Sequence, residues 1–172
     1  RGSSRVIARG WFDYPEFLLF SCLEGMTGPI SRFFRLEGEQ RRLLLQALSE
    51  LRRARWALSQ RPFRELFDGL EAHNGEFVDS AGGQDVQERA RKVAWAVRVA
   101  SAYAPWKSSC LVEVLAAQKL MQASGIGGAM YIGAARGEEH DFSAHAWLKH
   151  GETFITGESG HDQYKVLTTF TW

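Results

Sequence analysis

Between Glu37 and Gln60, Leu43, Leu44, Ala47, Leu48, Leu51, Ala54, Trp56 and Leu58 recur at helical spacing, with Arg41, Arg42, Arg52, Arg53 and Arg55 between them. The pattern predicts a long amphipathic helix with a solvated arginine face, stopping before Pro62. A short helix is expected from Phe63 to about Glu71, and His73 to Gly83 reads as a loop. Asp85 stands three residues before Glu88, the spacing of an N-terminal capping box. With Val86, Ala90, Val93, Ala94, Val97 and Ala100 as its apolar face, a third helix is expected over Val86 to Tyr103, ending at Pro105. A fourth opens at Cys110 and runs through Leu120-Met121, with Ser108 or Ser109 as its cap and Gly125 as its stop.

After Gly128 the pattern changes to short segments rich in aromatic and β-branched residues: Ala129 to Gly133, Ala144 to Lys149, Thr153 to Thr156 and Tyr164 to Phe170. Gly133 to Phe142 reads as a loop. Helices first and strands afterwards is the order of an α+β domain, not of an alternating α/β one. Near the start, Val6-Ile7, Trp11 to Tyr14 and Ile30 to Phe34 fit short strands or irregular aromatic packing, and Thr27-Gly28-Pro29 fits a turn. No repeat period is visible.

At 172 residues the chain has room for one catalytic domain and a small appendage. The net charge of +1 gives no support for binding nucleic acid or an anionic membrane. The two cysteines, Cys22 and Cys110, form no C-x-x-C pair, so a reducing cytoplasm is the simplest setting. Phe17 to Leu23 is too short an apolar run to span a bilayer. Arg1-Gly2-Ser3-Ser4 reads as an appended remnant and stays outside the fold argument.

The chemistry centres on Cys110. A thiol at the start of a helix is favoured as thiolate by the positive end of the helix dipole, and Lys107 stands close by in sequence. The free N–H groups of the same first turn can donate to the oxyanion of a tetrahedral intermediate. His145, on the expected strand Ala144 to Lys149, supplies a base for the thiol proton. A cysteine on a helix followed by a histidine on a strand forms the two halves of a papain-like or transglutaminase-like site. Each residue alone has an ordinary structural explanation, a buried thiol or a satisfied histidine. Their order and element types together point to catalysis.

A base of this kind needs a third group to orient it. If Gly151-Glu152 is a two-residue turn, Glu158 falls opposite His145. With a longer loop or a bulge, Gly157 takes that place and offers no side chain, leaving Asp162, Asp141 and Gln163. Trp106 and Trp147 flank the site residues and are expected to border the cleft, where they could contact substrate. His140, His145 and His150 are unsuited to a metal, since odd spacing on a strand sends His145 and His150 to opposite faces. Neither G-x-x-x-x-G-K-[ST] nor G-x-G-x-x-G occurs, so no nucleotide site and no cofactor is expected.

Arg91 to Val97, Pro105-Trp106, Cys110-Leu111, Leu120-Met121, Gly125-Ile126, Tyr131-Ile132-Gly133 and Ala144-His145-Ala146-Trp147 together resemble the lasso-peptide B proteins, the transglutaminase-like leader peptidases of the microcin J25 processing family. The resemblance covers about residues 37 to 172. It implies a cysteine protease that removes the leader from a ribosomally made precursor after a segment with a threonine at its penultimate position. Cys110 carries over as nucleophile and His145 as base, while the family's aspartate falls at Gly157, so that Glu158 is favoured, with Asp162 next and a Cys-His dyad without a third residue as the remaining alternative.

These readings converge on an α+β papain-like or transglutaminase-like domain at residues 37–172, preceded by an N-terminal extension at 1–36. The extension is shorter than the family's winged-helix-like leader-recognition module. The resemblance therefore implies a split, B2-type protease subunit or a truncated form of the fused protein, in either case with a separate leader-recognition protein, a precursor peptide substrate and a lasso cyclase as partners. Other classes with the same residues are a transglutaminase or deamidase, and an inactive peptide-binding module of the same fold.

Overall fold

The structure, a computed structural model, describes residues 29–75, 82–136 and 142–172. The chain divides between Leu36 and Glu37 into two units. In the first, Pro29–Arg35 forms α1, so Ile30 to Phe34 are helical and not the strand or irregular packing that their aromatic content suggested. Val6-Ile7, Trp11 to Tyr14, the apolar run from Phe17 and Cys22 lie outside the described residues.

In the second unit, α2 spans Gly38–Gln60. It starts from Glu37, whose side chain caps the first turn while Gln40 reaches back to the Glu37 N–H. It closes with the Arg61 N–H donating to the Ala57 carbonyl, one residue before Pro62. Ala47, Leu51 and Ala54 are buried, but Trp56 is 61% exposed. Two residues along a helix is about 200° of rotation, which carries Trp56 away from the stripe that buries Ala54.

Phe63–Phe67 is a single 3-10 stretch, shorter than the helix expected there. Glu71–Asn74 then forms β1, where the sequence pattern suggested the start of a loop. This segment has no alternation of its own and is held by its partner strand: Thr168 Oγ1 donates to the His73 carbonyl, and His73 Nε2 lies 2.9 Å from Thr171 Oγ1. Helix α3 is Gln84–Tyr103. Its cap is Gly83 and no side chain caps it, so the expected capping box is absent; Asp85 sits inside the first turn and pairs with Arg89 at 3.2 Å.

Helix α4, Cys110–Ala123, is the centre of the unit. Val112, Val114, Leu115, Ala116, Ala117, Gln118, Leu120 and Met121 are all buried, which covers most of its circumference. Helices α2 and α3 and the last strands of the sheet surround it. The strands are β2 (Ala129–Arg136), β3 (Phe142–His150), β4 (Thr153–Thr156) and β5 (Lys165–Thr171), and residues 137–141 between β2 and β3 lie outside the described residues. With β1 they form one antiparallel sheet of five strands in the order β1-β5-β2-β3-β4. The α+β arrangement, helices first and sheet last, is the one expected.

Alternation along the strands separates two environments. Met130, Ile132, Ala146, Leu148, Ile155 and Phe170 pack with the helices. Tyr131 and Trp147 belong to a second cluster, joined by Phe154, Tyr164 and Val166. Two bulges interrupt the ladder. One lies in the β2–β5 pairing, between Ile132 and Gly133, and the other in the β3–β4 pairing, between Leu148 and Lys149.

Leu148 is 0% exposed on the face that meets the helices, and Leu148→Ala is expected to lower unfolding free energy by about 2–5 kcal/mol. Trp56→Ala, at an exposed site, is expected to change it by less than about 0.5 kcal/mol, both measured by urea denaturation.

Candidate active site

Cys110 is the first residue of α4, directly after its cap. Ser109 is that cap: its hydroxyl accepts from the Val112 N–H at 3.4 Å, leaving the N–H groups of Cys110 and Leu111 outside the helical ladder. The thiol is half-buried and unpaired in any disulfide. The loop leading to it is tied down on one side, since Arg55 Nη1 donates to the Lys107 carbonyl at 3.2 Å. Arg55 is thus a brace for this loop, beyond the solvated face that the sequence pattern assigned to it. Ser101 on α3 donates to the Glu113 carboxylate one turn into α4, tying the two helices together beside the thiol.

An open cavity of about 580 Å³ lies against the same loop, lined by Ser101, Ala102, Ala104, Pro105, Trp106, Lys107 and Ser108. Neither Cys110 nor His145 lines it. Trp106 packs against the helical core, and its Nε1 is buried with no hydrogen-bond partner among the described residues.

His145 sits on β3 opposite Gly133 of β2. Its ring rests against Trp147 at 5.8 Å and Tyr164 at 5.1 Å between centroids, on the sheet face of the second cluster. Gly133 makes room for this packing: a Cβ there would lie 2.9 Å from both the Trp147 ring and Tyr164. Trp147 is 3% exposed, so it supports the imidazole from beneath and presents no open wall to a substrate, contrary to the role its position in sequence suggested.

His145 Nε2 lies 2.9 Å from the carbonyl oxygen of Gly157. A carbonyl can only accept, so Nε2 carries the proton in the neutral ring and Nδ1 keeps its lone pair. Nδ1 has no partner among the described residues. Cys110 and His145 are not hydrogen-bonded to each other, although α4 packs against the strand that carries His145.

The sequence left the third group open between a side chain at Glu158 and none at Gly157. The hairpin follows the first case at its turn and then departs from both. His150 pairs with Thr153 across a two-residue turn, and the bulge then sets Leu148 opposite Thr156. Glu158 is exposed; its carbonyl accepts from His161 Nδ1 at 2.7 Å, and its carboxylate makes no hydrogen bond among the described residues. Asp162 and Gln163 are also exposed, and Asp141 lies outside the described residues.

Two further histidines have defined places in the structure. His161 was not singled out, yet its ring meets Phe154 at 4.5 Å and Trp147 at 5.9 Å, beside His145 in the same aromatic group. No local pattern marks it, because it reaches this place through a turn. His150 is buried on the helical face, with Nδ1 2.9 Å from the Gly127 carbonyl and Nε2 accepting from the Gly82 N–H. It is a structural residue, on the opposite face from His145 as its spacing predicted. Among the described residues, no group of three or more His, Cys, Asp or Glu side chains is placed to hold a metal ion.

A family profile, that of the transglutaminase-like superfamily, matches residues 51–169. The chain belongs to the transglutaminase-like superfamily. The match runs from the middle of α2 to the end of the sheet and contains both Cys110 and His145. The superfamily includes cysteine proteases and acyl transferases, which share attack by a thiol on a carbonyl. No curated protein and no solved structure matches the chain. Among the described residues, no helix is long and apolar enough to cross a membrane.

Gly157 has φ +73°, and a Cβ there would lie 2.5 Å from the Ala146 carbonyl oxygen. Gly69 has φ +82° but open space around it. Gly69→Ala is therefore expected to cost about 1 kcal/mol, from backbone strain alone, and Gly157→Ala at least about 2 kcal/mol, by denaturant unfolding of the two variants side by side.

Proposed function

We propose that the protein is a cysteine endopeptidase that removes the leader from a ribosomally synthesised lasso-peptide precursor. The observation that carries this reading is Cys110 at the first position of the central helix, ahead of His145 on a strand whose other face, that of Ala146 and Leu148, packs with that helix. Superfamily membership supports the acyl-transfer chemistry, and the resemblance of residues 37–172 to the lasso-peptide B proteins supports the substrate.

In this reading the thiol gives its proton to His145, and the thiolate sulfur attacks the scissile carbonyl at the leader's end. The carbonyl electrons move onto oxygen, where the N–H groups of the first turn of α4 donate to them. Collapse of the intermediate breaks the C–N bond, and His145 delivers its proton to the departing core amine. A thioester of the leader remains on Cys110. Water, deprotonated by His145, attacks that thioester, and the leader leaves as a carboxylic acid with the thiol restored.

The freed core amine is the nucleophile that a lasso cyclase would use for its macrolactam. A separate leader-recognition protein of the winged-helix-like kind would present the precursor. Its place would be the cytoplasm, where a free thiol persists. Trp106, on the loop before Cys110, is the aromatic residue we assign to the substrate side of the site.

A second reading keeps the same residues but acts on a glutamine side chain, as a transglutaminase or deamidase. Mass spectrometry of a precursor incubated with the protein and its recognition partner separates the two. Cleavage gives two fragments, whereas deamidation adds about one dalton to a single intact chain. Cys110→Ala is expected to lower cleavage by about 10³-fold or more while leaving the unfolding transition in place. Cleavage by that variant at the wild-type rate would remove Cys110 from the mechanism and end the proposal.

A further inference from the structure

We propose that the main-chain carbonyl of Gly157, and no carboxylate, is the positioning group for His145, so that the site works as a Cys-His pair held in place by backbone. This rests on the peptidase reading for its catalytic meaning, but not for its geometry.

The hydrogen bond from His145 Nε2 to the Gly157 carbonyl, at 2.9 Å, is the only one that the ring makes among the described residues. It fills the position that an acid would otherwise take. An orienting group has two tasks: to hold the proton on one ring nitrogen, and to fix the plane of the ring. A carbonyl performs both. It accepts from Nε2–H, which leaves the Nδ1 lone pair as the base, and the Trp147 and Tyr164 rings pack against the imidazole at 5.8 and 5.1 Å between centroids.

The backbone around position 157 explains why a side chain cannot do the same work there. The positive φ of Gly157 disfavours any residue with a Cβ, and that Cβ would meet the Ala146 carbonyl at 2.5 Å and Trp147 Cβ at 2.8 Å. The neighbouring carboxylate is displaced by the bulge. Continued without interruption from the His150–Thr153 pair, the ladder would set Glu158 opposite His145. The extra residue, Ile155 on β4, falls between the Leu148–Thr156 and Lys149–Phe154 pairs and shifts that register by one, towards Ser159, and the ladder ends at Thr156. Glu158 is left exposed, while the Gly157 carbonyl meets the ring.

A neutral acceptor differs from a carboxylate in one respect. It fixes the tautomer but brings no negative charge to the imidazolium that forms when the thiol gives up its proton. Its role is therefore orientation.

The test is the tautomer of His145 in the full chain, read from long-range ¹H–¹⁵N correlations of the ¹⁵N-labelled protein and assigned by comparison with His145→Gln. The neutral ring is expected to be protonated at Nε2 alone. Protonation at Nδ1, or a rapid mixture of both forms, would overturn the proposal. In Glu158→Gln and Asp162→Asn the tautomer should be unchanged and precursor cleavage should keep its kcat/KM within threefold; a larger loss in either would assign the role to that carboxylate. Gly157→Ala, if folded, should show a mixed tautomer. Should Cys110→Ala leave cleavage intact, the peptidase reading fails while the tautomer still decides the role of Gly157.

Discussion

A helix that is apolar around most of its circumference has to be covered on most sides, and α4 is the element on which that demand falls. Its buried residues run from Val112 to Met121 with few gaps, and α2, α3, β3 and β4 supply the cover. The first turn of such a helix cannot also be enclosed without leaving its N–H groups unsatisfied, so the chain needs a cap and an approach loop there. Ser109 provides the cap, Arg55 braces the loop through the Lys107 carbonyl, and Cys110 follows at the boundary between core and solvent. The half-buried state of the thiol is thus a consequence of where the core ends.

The other half of the site obeys a different constraint. Strand alternation gives β3 two faces, and the chain uses both: Ala146 and Leu148 for the helical core, His145 and Trp147 for the second cluster. An imidazole among aromatic rings is held by contact on its faces but needs its polar edge satisfied. The Gly157 carbonyl satisfies it. Small residues make that possible, because Gly133 and Gly157 each stand where any side chain would strike Trp147. The space that a side chain at Gly157 would occupy is closed by Trp147 and by the Ala146 carbonyl.

Much of this was legible in the chain because it rests on local pattern. The stripe of Leu43 to Leu58 gave α2, the apolar run after Cys110 gave α4, and the change of period after Gly128 marked the sheet. What escaped depends on partners distant in sequence. β1 has no strand pattern of its own and exists through Thr168 and Thr171 on β5. Gly83 caps α3 although Asp85 had the better side chain for it. Trp56 was counted with the core by its chemistry, when its angular position excluded it.

The hydrogen-bond partner of His145 was hidden for a more general reason. Sequence reasoning searches for side chains, and a residue whose contribution is a carbonyl leaves no chemical mark in the sequence. The displacement of Glu158 from His145 turned on a single bulge, and a bulge is a two-against-one mismatch between strands that neither strand declares alone. Gly157 nevertheless carries a signal in hindsight. A glycine at the expected position of an acid, immediately after a strand and followed by Gly160 with φ +75°, marks a backbone forced through left-handed conformations. Such a backbone can aim a carbonyl where a regular strand could not. A glycine where an acid is expected is therefore a reason to ask where the main chain points before looking further along for another carboxylate.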